Sequence, residues 1–167
     1  MKIATLFLST IAFALSILFP APDSSAASDL TENEIRGTVK SLINSRGEVH
    51  IQGIKIEKDH QGKLKMEING NLGSCWGQAE FAKEYAREAL KALFTSDLPI
   101  SHVVLNIFES NESLLTVALG KNQASNIKWE EQDSLSSFYD HIRARTNYEG
   151  NPADYCLFIE KKEGVSP

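Results

Sequence analysis

Apolar residues recur along this chain with two different spacings, and the spacing changes mark its elements. TENEIRGTVKSLI places Ile35, Val39, Leu42 and Ile43 on one helical face, with Thr31 as cap and Glu34 three residues later. Gly37 weakens that helix. Alternation then takes over: Val49 and Ile51, a slip at Gly53, and Ile54 and Ile56. A bulge at Gly53 keeps all four side chains on one face. Asp59 to Gly62 supply a turn, and Leu64, Met66 and Ile68 alternate in the returning strand.

From about Gln78 to Thr95 the spacing is helical again. Phe81, Ala82, Tyr85, Ala86, Ala89, Leu90, Ala92 and Leu93 share one side, and Glu80, Lys83, Glu84, Arg87, Glu88 and Lys91 share the other. HVVLNIF and LLTVALG around SNES predict a second hairpin, whose strands are apolar enough to sit centrally under that helix. DSLSSFYDHIRAR puts Leu135, Phe138, Tyr139 and Ile142 on one helical face, and Tyr155 to Ile159 predict a last short strand after the Glu149–Pro152 turn. These elements add up to an α+β fold: an antiparallel sheet of four to five strands with one long amphipathic helix packed across one face.

The N-terminus changes the picture of where such a domain works. Lys2 precedes a mainly apolar run from Ile3 to Phe19, then Pro20, Pro22 and the small residues Ser25-Ala26-Ala27. That is the layout of a secretory signal over residues 1–27, followed by a single domain over 28–167. After signal cleavage no further stretch is apolar enough for a membrane span. The expected location is therefore secreted or periplasmic. The formal net charge is −5, with Lys and Arg scattered among the acids, so no basic face for nucleic acid is expected. An oxidising compartment favours a disulfide between Cys75 and Cys156, with two buried thiols or one reactive thiol as the alternatives.

Gly70 to Gly77, GNLGSCWG, lies between a strand and a helix, where phosphate-binding loops sit. Its glycines do not match G-x-G-x-x-G, and no Lys-Ser or Lys-Thr follows. The loop reads instead as a turn whose Cys75 anchors the helix start to the tail. No cofactor is implied. His50, His60 and His102 read as surface residues, no two histidines have metal-ligand spacing on one element, and no metal site is expected. Catalytic residues stay unknown. The most chemically loaded stretch is FYDHIRARTNYEG, in which a helix brings Asp140, Arg143 and Tyr139 near one another and Arg143 and Arg145 with His141 can grip an anion, beside the plainer reading of a surface helix with a local ion pair. Trp129, followed by Glu130, Glu131 and Asp133, is either a core anchor or a recognition aromatic.

The order hairpin, long helix, VVLNIF strand, LLTVALGK strand and SNIKW resembles a group of small exported bacterial and archaeal α+β domains. Their Ile-Asn-Trp-like signature is matched here by Ile127, Lys128 and Trp129, and the resemblance covers about residues 49–140. It implies a helix-on-sheet fold and brings no activity with it. The expected function is a non-catalytic binding or interaction module for a protein, peptide or envelope component. Two alternatives stand beside it: a small secreted hydrolase using His141 with nearby carboxylates, and an inhibitor of a secreted enzyme acting through a loop at 147–155.

Overall fold

The computed structural model describes residues 30–44, 49–73, 78–130 and 135–161. Helix α1 (Glu32–Ile43) starts as expected: the Thr31 side chain accepts from the Glu34 amide, and Glu34 reaches back to the Thr31 amide at 2.7 Å. Strands β1 (Val49–Lys58) and β2 (Leu64–Leu72) form an antiparallel hairpin. Its register skips Gln52, so the bulge expected at Gly53 is present, and Val49 and Ile54 are both buried in the core. Helix α2 (Gln78–Phe94) leads to a second hairpin, β3 (Ile100–Glu109) and β4 (Glu112–Gly120). Ser110 and Asn111 both have positive φ, 49° and 68°, which matches a two-residue hairpin turn whose twist suits the strands. A short α3 (Lys121–Ser125), then α4 (Leu135–Arg143), a 3-10 turn at Pro152–Asp154 and β5 (Cys156–Glu160) complete the described chain.

The five strands lie in the order β1-β2-β3-β4-β5. The sheet is mixed, where the pattern of the chain predicted an antiparallel one: β2 and β3 run parallel. The reason is the seventeen-residue helix between them. A crossover of that length returns the chain to the end where β2 began, so β3 enters in the same direction. Helical packing also exceeds one long helix. Residues from α1, α2 and α4 join one core with Val103, Leu105 and Ile107 of β3 and Leu115, Val117 and Leu119 of β4. All these strand residues share one parity, so the three helices cover one face of the sheet.

The glycine stretch is also redrawn. Gly70, Asn71 and Leu72 belong to β2 rather than to a loop. A Cβ on Gly70 would lie 2.6 Å from Val49 Cγ1, so this glycine serves close strand packing. Ser74 to Gly77, with Cys75 and Trp76, lie outside the described residues. So does the whole 1–27 segment read as a signal. Among the described residues, no helix is long and apolar enough to cross a membrane.

Candidate functional site: the open face of the sheet

The opposite face carries the other parity of the same strands. Register aligns Lys65 with His102 and Gly120, then Glu67 with Val104, Ala118 and Leu157, then Asn69 with Asn106, Thr116 and Ile159. In the last row the side chains bond one another. Asn106 Nδ2 donates to Asn69 Oδ1 at 2.9 Å and to Glu67 Oε1 at 3.3 Å, while Thr116 Oγ1 donates to Asn106 Oδ1 at 2.9 Å. The amide of Asn106 thus has both donors and its acceptor engaged.

His102 stands in the first row of this face, near the start of β3. It was expected at the surface, yet it is only 7% exposed. Tyr155 meets its ring edge-on at 5.0 Å and Tyr148 lies at 6.1 Å, the two tyrosines being 4.5 Å apart. The chain from Asn147 to Tyr155 forms a strap that brings these rings over the sheet. Asn147 exchanges two backbone hydrogen bonds with Cys156, each 2.8 Å, and the Gly120 amide donates to the Tyr155 carbonyl at 2.8 Å. The Asn151 side chain accepts from the Ala153 amide and so starts the 3-10 turn. A Cβ on Gly120 would sit 2.3 Å from the Ala153 carbonyl oxygen, so glycine is what lets the strap lie this close. Residues 147 to 151 of this segment, proposed from the sequence as an inhibitory loop, are exposed, while the Tyr155 end is half-buried.

Burial, helped by the charge of Lys65, pushes His102 down to about 4, so its imidazole is neutral at pH 7. Its Nε2 has no hydrogen-bond partner. Beside the histidine is a shallow hollow of about 140 Å³, walled by Lys55, Glu57, Lys65 and Glu67 and floored by His102 and Val104. Its two cations and two anions balance. Among the described residues, no group of three His, Cys, Asp or Glu is placed to hold a metal ion.

The residues singled out from sequence lie elsewhere, on the helical side and at the end of α4, and they do not converge. Trp129 packs against the core, its ring 5.7 Å from that of Phe138, and its carbonyl accepts from Arg87 at 3.3 Å. Asp140 accepts from Ser136 at 3.3 Å and from Arg143 at 3.2 Å. Arg143 also stacks 4.6 Å above the Phe158 ring and lies 3.5 Å from Glu160. His141 instead meets Arg145, 3.1 Å from Nδ1, and burial followed by the Arg145 charge lowers its pKa. Asp140 and His141 are thus engaged with different neighbours. Glu130 pairs with Lys91 at 2.9 Å, and Glu131 and Asp133 lie outside the described residues.

Cys156 is a free, buried thiol whose Sγ is 3.5 Å from the Ile142 carbonyl, and burial pushes it up to about 11. Its expected partner Cys75 lies outside the described residues. Register places Cys156 level with Leu119, Val103 and Met66. Leu72 is three strands away and well beyond that row, about 20 Å along the sheet and about 14 Å across it.

The residues that sequence reasoning missed are His102, Tyr148 and Tyr155. The visible signal was a histidine opening an apolar strand and two tyrosines flanking the Glu149–Pro152 turn. Comparison with protein-family models, with curated proteins and with solved structures gives no match to this chain.

Proposed function

We propose that the chain is an exported, non-catalytic binding module that uses the open face of its sheet to hold a protein, peptide or envelope component. The observation that carries this reading is the division of the sheet. Three helices close one face, while the other carries Tyr148 and Tyr155 over the buried His102 and a ladder whose central amide, Asn106, already has its donors and acceptor engaged. Polar groups that bond one another can be covered by a partner without leaving an orphaned donor or acceptor, so the desolvation cost is small. Tyr148, 45% exposed, and Ile159, 55% exposed, add apolar area at one side of the same face. Hydrolysis is the weaker reading, because Asp140 and His141 have separate partners. Export is supported by the apolar run Ile3–Phe19 and the small residues after it.

The test is cross-linking in the producing cell, with Val104→Glu on the open face and Glu84→Lys on the outer face of α2. Cross-linked partners should vanish with the first variant and persist with the second. Equal capture by both would defeat the reading, as would capture lost only with Glu84→Lys. Protein recovered outside the cytoplasm should begin near Ser28 on N-terminal sequencing; a cytoplasmic chain retaining Met1 would remove the export half.

A further inference from the structure

We infer that two copies of this chain pair edge to edge through β1, antiparallel about a two-fold axis at Ile56, and merge their five-stranded sheets into one continuous sheet. This goes beyond the binding reading and does not rest on it. Strand β1 is outermost and ten residues long, and among the described residues its outer edge has no backbone partner. The opposite edge is different: β5 has five residues, and its first, Cys156, is closed off by Asn147. A long open edge is a template for another strand, and lysines and bulges are the usual defence against that. The bulge at Gln52 ends the regular register of β1, leaving Gly53 to Lys58 as its straight part.

Within that part, charge selects one register. A two-fold at Ile56 sets Lys55 opposite Glu57 of the second copy, and Glu57 opposite its Lys55. The nearest shifts that keep the same residues facing out, two residues either way, put Lys55 or Glu57 opposite its own copy, so like charges meet, and a further shift towards the N-terminus runs into the bulge at Gln52. The selected register also continues an existing pattern. Within one chain Lys55 pairs across to Glu67 and Glu57 to Lys65. Reading across the seam, one row becomes Lys65, Glu57, Lys55, Glu67, and the adjoining row Glu67, Lys55, Glu57, Lys65. Signs alternate through four strands without a break. Lys55 and Glu57 are now 68% and 57% exposed and 2.8 Å from each other, so both have room for a second opposite charge. On the helical side the half-buried Ile56 meets its own copy, which covers apolar surface that the edge leaves partly wet. Because Lys55 and Glu57 also wall the hollow beside His102, the hollows of the two copies adjoin across the axis.

Sedimentation equilibrium of the full chain tests this, from micromolar to several hundred micromolar. The chain should show a reversible monomer–dimer equilibrium. Lys55→Glu alone and Glu57→Lys alone should each raise the dissociation constant tenfold or more, since each sets like charges face to face. The double variant Lys55→Glu/Glu57→Lys reverses both signs and should recover the dimer to within a few-fold. Circular dichroism spectra of the four proteins at a concentration where all are monomeric should coincide, which separates pairing from folding. A monomer throughout that range would overturn the inference. A dimer indifferent to either single variant, or one that the double variant fails to restore, would do the same.

Discussion

Strand β3 belongs to two regions at once, and they are built on opposite principles. Its core-side residues Val103, Leu105 and Ile107 are fully buried under the helices and apolar without exception. Its open-side residues are His102, Val104, Asn106 and Phe108, of which only the histidine is buried. One face is held by area removed from water, the other by directed contacts among a few polar and aromatic groups. The difference teaches that one strand can separate core packing from an open polar and aromatic face by parity alone. Substitution on the first face should cost fold, and substitution on the second should cost contacts.

The largest expected effect breaks the comparison if it fails. Leu105→Ala should lower unfolding free energy by about 2–5 kcal/mol in urea titrations, the usual cost of a cavity at a fully enclosed site. Val104→Ala, one residue away on the half-exposed side, should cost under about 1 kcal/mol. Equal losses would mean that the open face is also core.

His102 gives the next effect, and its sign is definite. The native state holds this group at about 4 against an ordinary 6.5, through burial and then Lys65. Between those values the unfolded chain binds a proton that the native state refuses, so stability falls as pH drops from about 6.5 towards 4 and levels off below. The full contribution is about 3 kcal/mol. Comparing wild type with His102→Phe across that window isolates it from the carboxylates. A difference that stays flat would show that the ring is not shut off from water by the tyrosines.

Gly120→Ala comes third. Its new methyl meets the Ala153 carbonyl, which is backbone and cannot swing aside. The strap must lift, at a cost of about 1–3 kcal/mol. Amide exchange should rise at Asn147, Tyr155 and Cys156 while the core strands stay protected. Unchanged exchange there would mean the strap is not held by this contact.

Much of this architecture was legible from spacing. The capping box at Thr31, the bulge before Gly53, both hairpins and α2 follow from local pattern, because each is set by residues close in sequence. Alternation does not report the direction of pairing, being the same in parallel and antiparallel strands; the mark of the parallel β2–β3 contact was the long helix between them, outside either strand. The site was hidden for a related reason. His102 is buried by Tyr148 and Tyr155, some fifty residues on, and nothing within a window around His102 reports a strap that crosses back over it. Conversely, Asp140 and His141 are neighbours in sequence, yet a 100° turn between successive helical residues sends them to different partners.

The smallest effect sharpens the comparison most, because it asks whether the open face is a network or a collection of pairs. Asn69 and Thr116 stand on β2 and β4 and bond no common atom; they meet only through opposite ends of the Asn106 amide on β3. Asn69→Ala removes an acceptor from the Asn106 Nδ2 group, and Thr116→Val removes the donor to its Oδ1 while keeping the shape. Each alone should cost about 1 kcal/mol, since water reaches these half-buried positions and replaces part of what is lost. Polarisation through the amide makes each bond stronger while the other is present. The double variant should therefore lose less than the sum, by about 0.5 kcal/mol in a double-mutant cycle. Core-side residues at similar separation, such as Ile68 and Val117 on either side of Leu105, couple through packing instead, so that cycle is the control. If the Asn69–Thr116 cycle closes additively, the ladder is only two independent hydrogen bonds, and the open face has lost the rigid polar spine that sets it apart from the face beneath the helices.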